Sequence, residues 1–530
     1  MINTSADFKK WAPGCQTRQG LGNNHHGTVS VFRLSSTLIP QAGRERCWLG
    51  IPSFPSVSGV GIIIGESHET EVGLKNYDVL VVGSGAGAYI VEQALAHELK
   101  VAYVDKGPIG GTCLNVGCIP SKMIIYPADR IVEIQNAARL GVRAEVKSVD
   151  FAGIMARTRE HVRRESGDIA EAISRTPGLD FYNGSGRFVG DHEFAVNGET
   201  FRAEKIYLVS GARPHIPPLK GLDEVDFLTN ETLLDLESCP ESLIIIGGGY
   251  IAVEYAHFFA AMGARVTIIQ RGPRLLKSEE PEVSALLQRE LGRRLTIVTG
   301  SEAEECAGAK EGTRIIARNI RTGEKSAFSG ERLLIAAGRR SNADLLDVAK
   351  TGVKTREDGY IQVNDYLETN RPNIWAFGDA IGREMYRHAA NYEAEIAWHN
   401  SAHGGHDAVA FERIPHAVFS WPQIASVGLG EAEAKRGRDV LVGRARYSEV
   451  AKGKAMMEEE AFAKLIVEKG TGKILGCHII GPQAAILIQE VADAMGTVET
   501  LTPVLAGIHI HPALSEVIPA AIGNLREPDD

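Results

Sequence analysis

The sequence predicts an α/β protein with two Rossmann-like three-layer nucleotide-binding domains followed by a C-terminal α+β domain. Three observations carry this reading. A strand, a glycine turn, a helix and a second strand succeed one another from Tyr77 to Asp105. The same succession returns from Leu243 to Ile269, and beyond about Phe411 strands and helices follow without that order. A chain of 530 residues leaves room for several domains. Its 57 glycines are about 11% of the chain against a usual share near 7%, an excess suited to tight turns and close backbone approach to a ligand.

The first unit opens with an apolar run rich in β-branched residues, Tyr77 to Val82, read as a buried parallel strand. It runs into Gly83, Gly85 and Ala88, then a helix from Tyr89 to Leu99 and a strand from Lys100 to Val104 that ends at Asp105. In a G-x-G-x-x-G/A turn the first glycine permits the bend and the second lets the backbone approach a pyrophosphate. The third position keeps helix and strand close. Asp105 stands where an acid can bond ribose hydroxyls. A glycine-rich structural turn is the alternative, but strand, helix and acid at the proper distances favour a dinucleotide.

The second unit runs from the strand Leu243 to Ile246 through Gly247, Gly249 and Ala252, a helix to Met262, and the strand Arg265 to Ile269. It ends at Gln270, with Arg271 next and Arg274 close behind, where an acid would repel a 2′-phosphate and an arginine can pair with one. Each charge-assisted bond is worth about 1.5–3 kcal/mol, which favours NADPH over NADH. The alternative is that both arginines only solvate a loop. Helices are expected from Tyr126 to Leu140 and from Phe151 to Arg175, with short strands up to Ser210 and a strand-then-turn from Ile374 to Asp379. The last portion should hold strands Ala463–Val467 and Ile474–Ile480 and helices Ala484–Met495 and Ser515–Ile522.

The most specific feature is the stretch from Gly110 to Lys122, with Cys113 and Cys118 separated by four residues. That spacing suits a small redox disulfide. Pro120 fits the first turn of a helix, so Cys118 is expected at a helix N-terminus, where the dipole and a nearby cation lower a thiol pKa. Lys122 falls on the same helical face. A metal site needs further ligands beside the cysteines and none is at hand, so no metal is expected.

Composition excludes other classes. With 57 basic and 67 acidic residues the formal charge is −10, which argues against non-specific nucleic-acid or anionic-membrane binding. Aromatics at 6% are too sparse for base-stacking platforms. Seven cysteines make no disulfide scaffold and point to a reducing, cytoplasmic setting. No apolar run reaches the length of a membrane span, and the N-terminus shows no secretory h-region. Residues 1–72, poor in acids and without periodicity, are expected to be an extension: disordered, preceding the native start, or a presequence.

With this cysteine motif the chain, over about residues 75–525, resembles the class I pyridine nucleotide-disulfide oxidoreductases, a family of flavoproteins that includes dihydrolipoamide dehydrogenase, mycothione, glutathione and mercuric reductases. The resemblance implies FAD and NAD(P)H as cofactors. By the same resemblance Cys118 is the flavin-facing charge-transfer thiol, Cys113 the interchange thiol, and Lys122, paired with Glu254, the neighbour of the flavin. Asp379, in an Ala-Phe-Gly-Asp stretch, bonds the ribitol chain. Lys106, Gly111, Thr112 and Gly211 complete the FAD contacts, and Gly338 joins Gln270 and Arg271 on the NAD(P) side. His511, Pro512 and Glu516 resemble the family's His-Pro-x-x-x-Glu signature, in which the histidine is the acid–base and the glutamate orients it. Taken alone, a histidine five residues from a glutamate is more often a surface pair.

Because that histidine serves the disulfide of the other subunit, the resemblance implies a homodimer. It divides the chain into 73–220 and 343–408, two parts of the FAD domain, with the NAD(P) domain 221–342 between them and the dimerisation domain at 409–530. Among family members, the Ser-Glu ending at Glu516 and the Ser-Lys ending at Lys122 look like dihydrolipoamide dehydrogenase, the first reading. Arg387 to Asn391, Ser341 to Leu346, the pair Gln270 and Arg271, and Ile486 where a glutamate is usual lean towards an NADPH-dependent mycothione reductase. A mercuric reductase is disfavoured by the lack of a C-terminal vicinal cysteine pair. A redox-inactive flavin-binding subunit is a reading of another class. Expected partners are a small thiol or disulfide or a lipoyl-carrying protein.

Overall fold

The computed structural model describes residues 74–528 except 311, so the expectation for residues 1–72 lies outside the described residues. The first nucleotide-binding sheet runs Leu179–Asn183, Val101–Asp105, Lys75–Val82, Glu199–Leu208, Glu193–Val196, Arg187–Gly190, and Ile374–Ala376 also pairs with Glu199–Leu208. Its central strands are parallel, with Val79–Val82 opposite Val101–Val104 on one side and opposite Lys205–Leu208 on the other. Parallel strands are covered on both faces, which is why these segments read as unbroken apolar runs. Val79, Leu80, Ile206 and Leu208 are fully buried.

In the second unit four parallel strands lie in the order Thr296–Val298, Arg265–Ile269, Ser242–Ile246, Arg332–Ile335. Side-chain alternation builds its three layers. Leu243, Ile245, Val266 and Ile268 pack on Ala252, Val253 and Ala256 of the helix Tyr250–Ala261. Ile244, Ile246 and Ile269 face Cys306, Ile315 and Ala317 of an antiparallel sheet formed by Ser301–Ala309, Gly312–Asn319 and Lys325–Gly330. The two crossings between the units, Ala212–Pro214 and Arg339–Ser341, pair antiparallel.

The C-terminal portion is a five-stranded antiparallel sheet, His416–Val418, Ile424–Gly428, Ile474–Ile480, Phe462–Glu468, Val440–Arg446, with Leu487, Ile488 and Val491 of the helix Ala484–Thr497 and Val517 and Ile518 of the helix Val517–Gly523 in its core. The helix expected from Tyr126 instead starts at Cys118 and runs to Asn136, passing through Pro127. The helix Phe151–Ser174 follows, its N-terminus capped by the Asp150 carboxylate accepting from Gly153 N at 2.8 Å. Among the described residues no helix is long and apolar enough to cross a membrane.

Candidate active site

The first glycine turn is built for close approach. Gly83 has φ +113°, and a Cβ there would stand 2.1 Å from the Val209 carbonyl oxygen. A Cβ on Gly85 would meet nothing within 4 Å, so that face is open to a ligand, while one on Gly111 would come within 2.8 Å of Gly85 Cα. The close helix–strand packing expected of Ala88 falls to Gly87 instead: Ala88 is exposed, whereas Gly87 is buried and its Cβ would lie 2.8 Å from Val81 Cγ1. The helix begins at Gly87, which turns that residue and not Ala88 onto the strand. Asp105 accepts from Ser84 N at 2.6 Å and Gly107 N at 2.7 Å, which ties the end of the second strand to the turn. A carboxylate has acceptor capacity beyond those two bonds. Lys106 is exposed, Thr112 half-buried, and Gly211 has φ +68°.

Asp379 is held against Arg339 at 3.3 Å, and burial raises its carboxyl pKa above the usual range. Gly378 N donates to Glu393 at 2.6 Å, and burial pushes that glutamate's pKa up to about 8. Glu393 was not singled out from the sequence, although an acid among Ala389, Ala390, Ala394 and Ala397 on the buried face of a helix is a readable signal. Ser210 Oγ and Glu393 Oε1 are buried without a hydrogen-bond partner. Open glycine backbone beside unpaired buried polar atoms is the donor set a dinucleotide with hydroxyls requires, so these residues fit FAD.

The second turn repeats the first. Gly247 has φ +121°, with a would-be Cβ 2.1 Å from the Ala336 carbonyl oxygen; Gly249 and Gly338 face open space, and Ala252 is fully buried. Arg271 is exposed, with Glu302 at 3.7 Å. Arg274 is turned away: its guanidinium donates to the Lys277 and Glu279 carbonyls at 2.9 and 3.4 Å. Gln270 packs against Gly248 and Gly272. Of the two arginines, Arg271 is the one that faces outward.

Cys118 is the first residue of its helix and is exposed; Cys113, in the short helix Gly111–Asn115, is half-buried. The two thiols act on each other. Cys113 is lowered to about 6, chiefly because Cys118 donates to it, with Arg387 and Lys122 adding positive potential against the opposing effect of burial. Cys118 is pushed up, because its proton is held in the bond to Cys113 and because burial and the neighbouring thiolate oppose its ionisation. The pair shares one proton, so a single lowered thiolate belongs to both sulfurs together. Lys122 Nζ lies 2.7 Å from Glu254 Oε2, and Glu254 Oε1 accepts from Phe419 N at 2.9 Å. Lys122 also stands 4.5 Å from the Phe419 ring centroid.

A second rung between the same helices was not foreseen. His257, fully buried on the helix of Glu254, meets Asp129, on the helix of Lys122, at 2.9 Å through Nε2, and Arg294 at 3.2 Å through Nδ1. Burial lowers the imidazole pKa more than Asp129 restores it. The neutral ring thus donates to the carboxylate and accepts from the guanidinium.

His511 is exposed, with Nδ1 at 2.8 Å from Glu516 Oε1, while Glu516 Oε2 accepts from Ala513 N at 3.0 Å. The His511 bond, first, and the Ala513 bond hold the Glu516 carboxyl below its usual range. His509 pairs separately with Glu490 at 2.6 Å.

Residues 77–394 match the family model for pyridine nucleotide-disulphide oxidoreductases and residues 414–522 that family's dimerisation domain. The chain is 34% identical over 466 residues to mycothione reductase of Mycobacterium tuberculosis (strain H37Rv), covering 86% of this chain and 100% of that protein. It is 32% identical over 449 residues to dihydrolipoyl dehydrogenase of Geobacillus stearothermophilus, covering 83% and 94%. The structure of the HOCl-induced flavoprotein disulfide reductase RclA from Escherichia coli superposes with a TM-score of 0.74 at 25% identity, over 84% of this chain and 99% of that one. The chain belongs to the pyridine nucleotide-disulphide oxidoreductases, FAD-dependent enzymes that pass electrons between NAD(P)H and a substrate dithiol or disulfide.

Proposed function

We propose that this chain is a homodimeric, NADPH-dependent reductase of a low-molecular-weight disulfide, the activity for which its mycothione reductase relatives are named. The observation that carries the reading is the position of the cysteine pair. It opens the helix Cys118–Asn136, whose Lys122 is ion-paired with Glu254 of the second nucleotide-binding unit, so the two units meet at the sulfurs. FAD, when bound, supplies the relay of a hydride equivalent from the nicotinamide to the disulfide. The remaining chemistry belongs to the chain. The Cys113 thiolate attacks one substrate sulfur, and the released thiolate takes a proton from the His511 imidazolium. Cys118 then displaces the second thiol from Cys113, and the Cys113–Cys118 disulfide closes. Two electrons and two protons leave with the two thiols.

The preference for NADPH rests on Arg271, exposed at the end of the strand Arg265–Ile269, with no acid at Gln270. The dimer rests on His511: the cations acting on Cys113 within one chain are Arg387 and Lys122, while His511 stands exposed between Ile510 and Pro512. Ile508 and Ile510 are 99% and 76% exposed, an apolar face that a second copy covers. Lipoamide oxidation is the second reading, favoured by the Ser-Lys ending at Lys122 and the Ser-Glu ending at Glu516. The test is a panel of mycothiol disulfide, lipoamide, glutathione disulfide and coenzyme A disulfide, each with NADH and NADPH. Turnover of a small disulfide with NADPH is expected. Turnover confined to lipoamide with the non-phosphorylated coenzyme would overturn the proposal.

A further inference from the structure

The five strands of the C-terminal sheet place one polar side chain each in a single cross-strand row: His416, Ser426, His478, Lys464 and Arg444. Residues opposite one another on neighbouring strands share a face. This row meets Glu279, Glu280 and Glu282 of the second nucleotide-binding unit. Arg444 Nε lies 3.1 Å from Glu282, Lys464 bonds Glu280, and Ser426 donates to Glu279 Oε2 at 2.7 Å. At the outer end of the row Glu279 is buried, and its Oε1 accepts from His416 Nε2 at 2.6 Å, so both carboxylate oxygens are used. Burial opposes a charge on each partner. The bond between them outweighs it, lowering the Glu279 carboxyl and raising the His416 imidazole.

His416 opens the strand His416–Val418, and each end of that strand is tied to one of the two cations that act on Cys113. At the first end the His416 ring lies parallel to Tyr386, at 5.3 Å and 3°, and the Pro415 carbonyl accepts from His388 Nε2 at 2.6 Å. His388 also stacks on Tyr386, at 5.7 Å and 10°. Arg387, the first residue of its helix, stands between these two clamped neighbours. At the second end Phe419 N donates to Glu254 Oε1, and the Phe419 ring lies over Lys122. Three residue steps separate His416 from Phe419, roughly 10 Å of extended backbone. One short strand thus joins a buried carboxylate to both cations.

We propose that Glu279 and His416 are positioning residues for the redox cysteines, holding through the strand His416–Val418 both Arg387 and the Lys122–Glu254 pair at the places from which they act. This rests on Cys113 and Cys118 being the reacting pair. Glu279 and His416 work through Tyr386 and Phe419, so what they control is the place of charges and not the proton of a thiol. A Coulomb interaction falls with distance, so a strand released from Glu279 lets both cations retreat together. The charged groups facing the sulfurs are Arg387, Lys122 and Glu254, and those facing His416 are Glu279 and Glu384. Removing the Glu279 carboxylate leaves the hydrogens of His416 and Ser426 without an acceptor, and nothing else bonds the His416 ring at Nε2 among the described residues.

The test follows alkylation of the dithionite-reduced, FAD-loaded full chain by iodoacetamide against pH, read at Cys113 and Cys118 by peptide mass. Wild type is compared with Glu279→Ala and Glu279→Gln. Glutamine keeps an acceptor for His416 and offers an amide donor to Ser426 Oγ, so it holds the strand without the charge. Its alkylation midpoint should coincide with that of wild type, whereas the midpoint of Glu279→Ala should rise by about one pH unit. Should Glu279→Ala fail to fold, His416→Leu, which can neither bond Glu279 nor stack as an imidazole, takes its place. A role in stability alone would lower the denaturant midpoint of Glu279→Ala and leave its alkylation profile on that of wild type, which would overturn the proposal. An equal rise in Glu279→Gln would overturn it too, because charge and not position would then decide. Neither coenzyme nor substrate enters the measurement, so both results leave the reductase assignment standing. A wild-type midpoint in the ordinary thiol range would instead remove the reading of the cysteine pair, and this proposal with it.

Discussion

At the scale of single residues, the shared proton of Cys113 and Cys118 sets the working pH. The first thiol of the pair ionises near 6 instead of in the usual thiol range, because Cys118 donates to Cys113. Since that value is lowered, the thiolate is present at pH 7 and is lost as pH falls through about 6. The alkylation rate of the NADPH-reduced enzyme by iodoacetamide should therefore rise to half its plateau near pH 6; a midpoint in the ordinary thiol range would remove the hydrogen bond from the account. Arg271→Glu replaces the outward-facing arginine with a repulsive acid, so kcat/KM for NADPH should drop about 10–100-fold. NADH should be little affected, and equal losses with both coenzymes would show that Arg271 does not read the 2′-phosphate. The motif residues were legible because each sits in a short fixed-spacing string. His257 was not, because its partner Asp129 comes from a distant segment and no local spacing announces the pair; Glu393 could be read as an acid on an alanine-lined helix face, but not its bond to Gly378.

At the scale of elements, two rungs lock the helix Cys118–Asn136 to the helix Tyr250–Ala261: Lys122 with Glu254, and Asp129 with His257 and Arg294. The second rung fixes the helix that carries the sulfurs. His257→Leu leaves a buried carboxylate and a partly buried guanidinium without their bonds and should cost about 3 kcal/mol or more. His257→Gln, which offers both a donor and an acceptor, should cost less than half as much. Denaturant midpoints of the FAD-loaded proteins decide this, and equal losses would show that only volume matters at this position. The strands Arg265–Ile269 and Ile474–Ile480 have the ends their sequences predict, since each is an apolar run bounded by turn residues. The helix Cys118–Asn136 was legible only in pieces. Pro120 marks its first turn, but the apolar pattern announced a helix only from Tyr126, and tertiary packing of Ile124, Ala128, Ile131 and Val132 joins the two stretches through Pro127.

At the scale of the whole molecule, the question is where His511 acts. Its bond to Glu516 makes an oriented acid–base, yet it stands on an exposed face with Ile508 and Ile510, while Cys113 answers to Arg387 and Lys122. If a second copy covers that face, each site takes its cysteines from one chain and its histidine from the other. Cys113→Ser and His511→Gln homodimers should then both be inactive, the first for want of the interchange sulfur, the second by about 10²–10⁴-fold for want of the general acid–base. A mixed dimer holds one site with both lesions and one with neither. Random reassortment of equal amounts makes half the dimers mixed, with one of two sites intact in each, so activity per chain should return to about a quarter of wild type in a two-fold symmetric assembly. FAD absorbance should be retained throughout, because neither substitution touches the glycine turns or Asp379. If confirmed mixed dimers stay as inactive as their parents, His511 serves the cysteines of its own chain or none, and the shared-site dimer is wrong.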